Sequence, residues 1–391
     1  MNLTMNEADR AFRQEVRAFI SANLTEDMRA GQLRTSGSYP DPGFAIPWQK
    51  ALNQQGWMVP LWPKAWGGTG WTGLQRFIFE SECAMAGAPL VHPMGARFVG
   101  PVIIRFGTDE QKQRFLPRIR TSEDYWCQGF SEAGAGSDLA ALSLRATRDR
   151  EDYVLQGAKT WTTNAHHANW MFALVRTSRE ERRQGGISFL LIDMRSPGIT
   201  VRPIHTIGGD HDVNEVFFDA VRVPRSNLVG VEGEGWNCAK YLLEFERGAG
   251  IFSPRLRAQL NRVAGVMRSP AGLCQEAHGI RLGELRAELD AFEWLELRSL
   301  MPLQPGQNPG PVSSVLKLRA SRLKQGIAQL AMEALGEDAL RWRSDALSTS
   351  ATSDAARYMV PDYCNSRAYT IFGGTAEIQL SLIARDYLNA A

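Results

Sequence analysis

The sequence predicts a multi-domain α and β protein: a helical region, a small β-domain or barrel, then a helical bundle. Three observations carry this. At 391 residues and 44% hydrophobic content, the chain exceeds what one ordinary core absorbs, so two or three domains are expected. The middle of the chain holds short segments rich in β-branched and aromatic residues, separated by turn formers. The flanks hold long segments with apolar residues at i, i+3, i+4 and i+7. The regions divide as 1–125, 126–231 and 232–391, with no internal repeat at a fixed period.

In the first region, Phe12, Val16, Phe19 and Ile20 follow at helical spacing, and Thr4 and Glu7 have the spacing of a capping box. GWMVPLWPKAWGGTGWTG (56–73) reads as loop by its Pro and Gly punctuation. GTDEQKQRFLPRI then reads as a short helix capped by Thr108 or Asp109.

The β pattern runs through SLRATRDREDYVLQGAKTWTTN, WMFALVRTS, GISFLLIDM, ITVRPIHTIG and NEVFFDAVRVP, which predicts several antiparallel strands. RQGGIS supplies a hairpin connection between two of them. Helical periodicity returns after Gly235, and LQPGQNPGPVSS (303–314) links two of the later helices.

Composition narrows the function. A net charge of +2 without like-charge blocks gives no nucleic-acid footprint. Five scattered cysteines without a CxxC exclude a disulfide framework or zinc site and fit a reducing cytoplasm. The N-terminal stretch lacks the apolar core of a signal peptide, and no apolar run reaches the roughly 20 residues of a membrane helix.

Four segments carry candidate chemistry, each with a plainer reading beside it. In FSEAGAGSD (130–138), small residues let backbone N–H groups approach a ligand and Ser131 and Ser137 add hydroxyls; the plain reading is a tight connection. In KTWTTNAHHANW (159–170), a tryptophan between hydroxyls suits a planar aromatic cofactor; the plain reading is an edge strand with a core Trp. Adjacent His166 and His167 point to opposite faces of a strand, which argues against a shared metal. In LLEFERGAG (242–250), Glu246 among apolar neighbours suits a general base; the plain reading is a surface pair with Arg247. In IFGGTAEIQLSLIAR (371–385), glycines before a helix free backbone N–H groups for anionic or carbonyl oxygens; the plain reading is a helix cap at Thr375.

In this order and at these separations, the segments resemble the acyl-CoA dehydrogenase family over essentially the whole chain. The resemblance implies N-terminal helices, a central antiparallel β-barrel, a C-terminal four-helix bundle and an FAD cofactor. It places Phe130 and Ser131 along the flavin ring, Trp161 over the isoalloxazine and Thr163 near its N5 region. It places Ser137 at the thioester end of CoA, Thr375 and Glu377 near the FAD phosphates or adenosine, and Arg247 by the substrate pocket or CoA.

The family carries its base in one of two places. Where many members have a glutamate before the C-terminal Gly-Thr, this chain has Gly373; where a second group has it before an arginine on the first long C-terminal helix, this chain has Glu246. The resemblance therefore implies Glu246 as base, with the Gly373 N–H and the flavin ribityl chain binding the thioester carbonyl. The expected reaction converts an acyl-CoA to the trans-2-enoyl-CoA, the β-hydrogen passing to flavin N5 and the electrons to an electron-transfer flavoprotein. Two departures bear on assembly: the Arg-Lys-x-Phe-Gly element is absent between Ser253 and Leu285, and ALGEDAL (334–340) replaces Gln-x-x-Gly-Gly. These fit a heterotetramer with a related subunit, as in pimeloyl-CoA-type enzymes, as well as a homo-oligomer. The rival readings are a non-catalytic partner subunit and a flavin oxidase or monooxygenase on the same fold.

Overall fold

A computed structural model of the chain describes residues 5–35, 37–248, 250–269, 273, 275–303, 307, 310–341 and 351–388; the side chains of 246–248, 341 and 351–356 lie outside the described set. The chain opens with helices α1 (Glu7–Asn23), α2 (Glu26–Arg34), α3 (Pro42–Gln54) and α4 (Gly73–Ala86). A π-helical turn, Met94–Val99, leads into α5 (Gly100–Phe106), followed by α6 (Asp109–Arg120).

The cap of α1 is Asn6. Its Oδ1 accepts from the Asp9 N–H at 2.8 Å and Asp9 returns the bond at 3.2 Å. Thr4, the expected cap, lies outside the described residues. Asn-x-x-Asp meets the same requirement as Thr-x-x-Glu, so spacing does not choose between registers two residues apart. Thr108 caps α6 through a box with Gln111. Segment 56–73 is largely loop, yet Trp57 and Trp71 pack edge to face at 5.5 Å, and Phe12 and Phe19 of α1 close on Trp57. Its tryptophans thus belong to the core under the helices.

The strands are β1 (Trp126–Gly129), β2 (Arg145–Asp149), β3 (Asp152–Thr163), β4 (Trp170–Arg176), β5 (Ile187–Asp193), β6 (Ile199–Ile204), β7 (Val213–Pro224) and β8 (Leu228–Val229). They form one sheet in the order β6-β7-β3-β2-β4-β5-β8, with β1 beside β4. This corrects the expected closed antiparallel barrel. No pairing joins β6 to β8, and β1–β4 and β2–β4 are parallel. The weak points are short: β2 meets β4 only at Arg145–Arg176, and β8 has two residues. Strands of that length do not supply the register stagger that closure requires.

β4 and β5 are buried on both faces. Trp170, Phe172 and Leu174 face the N-terminal helices, and Met171, Ala173 and Val175 face the interior beside β3 and β7. The period of two explains why WMFALVR is continuously apolar: both faces meet a core.

The C-terminal helices are α7 (Gly235–Gly248), α8 (Ser253–Arg268), α9 (Glu276–Leu300), α10 (Val312–Leu335), α11 (Ala351–Ser366) and α12 (Ala376–Leu388). Leu256, Leu260, Val263 and Met267 of α8 mesh with Leu285, Leu289 and Phe292 of α9 and with Leu323, Ile327 and Leu330 of α10. Met359 of α11 packs on the same cluster and completes a four-helix bundle. Each fully buried leucine contributes about 1.5–3 kcal/mol. Among the described residues no helix is long and apolar enough to cross a membrane.

Candidate active site

Loop 130–138 is fastened to β3. The Thr160 N–H donates to the Ser131 carbonyl at 2.9 Å, and Lys159 Nζ donates to the Phe130 carbonyl at 3.1 Å and to Glu132 Oε1 at 2.8 Å. Lys159 and Glu132 are both buried. Burial draws Lys159 down to about 8, and Glu132 raises it back in part. Burial pushes Glu132 upward, but Lys159, the Leu144 N–H and the Ser143 hydroxyl outweigh it and hold the carboxyl below its ordinary range.

β3 is irregular between Lys159 and Thr162, and inside the bulge Trp161 has φ +56°. The bulge turns the indole outward: Trp161 is 59% exposed while Thr162 is fully buried. A left-handed non-glycine residue costs about 1–2 kcal/mol, and bulges commonly re-aim a side chain at a site. The Ser131 and Thr163 hydroxyls, both half-buried, make no hydrogen bond to a described residue. An open indole on β3, with free hydroxyls at Thr163 of the same strand and at Ser131 of the loop bonded to it, suits a planar ring with a polar edge, as a flavin presents.

A cavity of about 360 Å³ lies between the N-terminal helices and the bundle. Leu33, Leu90 and Phe98 line one wall; Phe245, Ile251 and Phe372 line the other. The start of α8, which borders it at Phe252 and Arg255, is held by Glu296. That buried carboxylate of α9 accepts from the Phe252 N–H at 2.6 Å, the Ser253 N–H at 3.1 Å and the Ser253 hydroxyl at 2.6 Å. α8 has no side-chain cap of its own, so Glu296 caps it from a neighbouring helix. Burial raises the Glu296 carboxyl to about 7, against those hydrogen bonds. The β3 surface and the cavity are linked through Asp212: its carbonyl accepts from the Asn164 N–H at 2.7 Å, and its Oδ2 accepts from the N–H of Ser38, a cavity-lining residue, at 2.9 Å.

The sequence-predicted residues fall as follows. Phe130, Ser131, Trp161 and Thr163 come together on the loop and β3. The Phe130 ring is 4% exposed and packs against Phe172 and Phe189, so its backbone is what it presents to a ligand. Glu246 and Arg247 sit in the last turn of α7; their side chains lie outside the described residues. Gly373 follows the cavity-lining Phe372 and has φ +65°, a conformation that favours glycine. Thr375 accepts from the Ile378 N–H at 3.2 Å and so acts as a helix cap. Glu377 is exposed on the first turn of α12, its own N–H and the Thr375 hydroxyl holding its carboxyl below the ordinary range. Ser137 is exposed, and neither it nor Glu377 lines the cavity.

His166 and His167 are not on a strand. Both lie in the turn after β3 with rings 4.0 Å apart, and His166 stacks on His211 at 3.9 Å. β3 ends at Thr163, three residues before His166, so strand alternation does not reach the pair. Lys159, Glu132 and Glu296 were not anticipated as supports; a Lys and a Glu inside the two motifs were the available signal for the first pair, and Glu296 left none.

Helices, sheet and helices, with an open indole on one side and an internal cavity on the other, define a flavoprotein dehydrogenase scaffold. The chain belongs to the acyl-CoA dehydrogenase family: models of its N-terminal, middle and C-terminal domains match residues 6–123, 127–221 and 233–388. It is an FAD-dependent oxidoreductase acting on acyl-CoA thioesters. It is similar to acyl-CoA dehydrogenase IpdE1 of Mycobacterium tuberculosis (strain ATCC 25618 / H37Rv), 34% identical over 387 residues and 96% of each chain. Among solved structures, the "Tcur3481-Tcur3483 steroid ACAD" superposes with a TM-score of 0.85 at 26% identity over 100% of both chains. The ChsE4-ChsE5 complex from Mycobacterium tuberculosis does so at 0.81 and 29%, again over 100% of both.

Proposed function

We propose that the chain converts an acyl-CoA to the trans-2-enoyl-CoA, with Glu246 as the base that takes the α-proton. The observation that carries this reading is the shared cavity. Phe245, next to Glu246 on α7, and Phe372, next to Gly373, line the same space. Positions 246 and 373 thus each adjoin a residue that lines this cavity, which supports assigning a carboxylate and a backbone N–H to one reaction. The Gly373 N–H makes no bond to a described residue and is available to a thioester carbonyl, where it stabilises enolate-like charge. FAD, when bound, supplies the two-electron acceptor for the β-hydrogen. Ser131 and Thr163 would hold its polar edge, and Trp161 would cover its ring. An electron-transfer flavoprotein would be the onward electron acceptor.

Anaerobic visible spectra with a panel of acyl-CoA thioesters test the reading. Bleaching of the flavin band by one thioester supports it, and a flavin-loaded protein that none of them bleaches sinks it.

A second reading concerns assembly. Ile371, Phe372 and Leu380, around the start of α12, are exposed large apolar side chains. Such a patch suits a subunit contact, and two structures similar to this chain are described as two-component assemblies. We infer a heterotetramer with a related subunit. Co-expression with neighbouring dehydrogenase-like chains tests it: a single self-associating species with full flavin content overturns it.

A further inference from the structure

The cavity is strongly cationic for a space that receives an acyl chain. Arg29, Arg97, Arg255, Arg262, Lys317 and Lys324 line it, against one carboxylate, Asp362, among the described side chains. Most of these cations are accounted for. Arg97 pairs with Glu80 at 2.6 Å, and Lys324 pairs with Asp362 at 2.5 Å. Lys317 donates to the Tyr369 carbonyl at 2.7 Å, and Arg29 is exposed at the rim.

Arg255 and Arg262 are different. They stand at i and i+7 on α8, so they share one face of that helix, with Gln259 between them. Arg255 Nη1 makes one long bond, 3.3 Å, to the carbonyl of the fully buried Ala88, and its buried Nε has no partner among the described residues. Arg262 has no hydrogen bond or close ion pair to a described residue, and Asp362, the carboxylate that acts on it, is taken up by Lys324 and Gln259. Desolvation pulls the Arg255 guanidinium below its ordinary value, opposed by the charge of Glu80, which is itself bonded to Arg97. Arg255, half-buried in the cavity wall with no carboxylate bonded to it among the described residues, is costly to hold there unless something arrives to pair with it, and the exposed Arg262 stands two turns further along the same face.

We propose that Arg255 and Arg262 form a subsite for a carboxylate carried on the acyl group, remote from the thioester. The substrate is then the mono-CoA thioester of a dicarboxylic acid, and this rests on the acyl-CoA dehydrogenase reading above. A guanidinium offers paired N–H donors that match a carboxylate. The apolar wall of Leu33, Leu90 and Phe98 takes the hydrocarbon between the two ends. CoA phosphates are a second source of negative charge, but Arg255 lies against the core beside Ala88 and Cys83, away from the solvent that a phosphate group retains.

The test measures binding of glutaryl-, adipyl-, pimeloyl- and suberyl-CoA to the full chain by calorimetry, each beside its methyl ester. At least one acid is expected to bind roughly 10- to 100-fold tighter than its ester, the range for bonds to a charged group. Arg262→Gln, at an exposed position without a described partner, is expected to reduce that preference and leave ester binding unchanged; Arg255→Lys is expected to retain part of it. Equal affinity for acid and ester in the wild type overturns the subsite and leaves the dehydrogenase reading standing. Equal weakening of acid and ester in the variants assigns the arginines to the CoA phosphates and also overturns it. Failure of every thioester to bind overturns the subsite together with the reading it rests on.

Discussion

Lys159 and Glu132 stand 27 residues apart in the chain and meet in the interior, Nζ 2.8 Å from Oε1. Through this pair the strand that carries Trp161 and the loop that carries Ser131 are held in one relative position. Breaking it from one side leaves a buried carboxylate without its cation. Lys159→Met is therefore expected to cost roughly 3–5 kcal/mol in a urea titration and to lower flavin content. A loss below about 1 kcal/mol would show that the carboxylate finds enough compensation in Ser143 and Leu144 alone.

Glu296 makes stability depend on pH. Its carboxyl is raised from 4.5 to about 7 in the folded protein, so folding takes up a proton between those values. This contribution is fully present below pH 4.5 and is lost as the pH rises through about 7. Denaturation at both ends of the window should show wild type losing stability toward the upper end relative to Glu296→Gln, which cannot ionise. Parallel curves for the two proteins would refute the assignment. Glu296→Ala leaves the Phe252 and Ser253 N–H groups without their acceptor and should cost about 1–3 kcal/mol at either pH.

Trp161→Ala separates a binding role from a structural one. The indole is exposed and its backbone strained, so its removal should change unfolding free energy by less than about 0.5 kcal/mol. The ratio of flavin to protein should fall. Unchanged flavin content with lowered stability would place Trp161 in a packing role.

Glu246→Gln keeps the shape of the side chain and removes the base. The flavin spectrum should be unchanged, while the rate of bleaching by acyl-CoA falls by about 10²- to 10⁴-fold. A rate within threefold of wild type is incompatible with Glu246 as base and favours an oxidase or monooxygenase on this fold.

Local patterns carried much of the fold. Phe12, Val16, Phe19 and Ile20 marked the buried stripe of α1, and the short β-branched and aromatic runs WMFALVR and GISFLLIDM between turn formers marked β4 and β5. These signals are readable because burial repeats with the period of the backbone, which the sequence displays directly. The motifs for loop 130–138 and the 371–375 turn were legible for a related reason: small residues and glycines announce tight backbone geometry within a few positions.

What the tertiary structure decided is non-local. Whether the sheet closes depends on the lengths of β2 and β8 and on which strands they meet, and no single segment records that. The turn at His166 and His167 depends on where β3 stops against Asp212. Glu296 reads as one more charge on a helix until Ser253 is found beneath it. The same holds for Arg255: nothing in the sequence sets it apart among 44 basic residues, and only the packing of α8 against Ala88 leaves its Nε buried without a partner among the described residues. Sequence by itself determined the order of elements, the motifs and the family resemblance, since each is written within a short window. The enclosure of specific charges came from the tertiary structure, because desolvation is set by atoms brought in from distant parts of the chain.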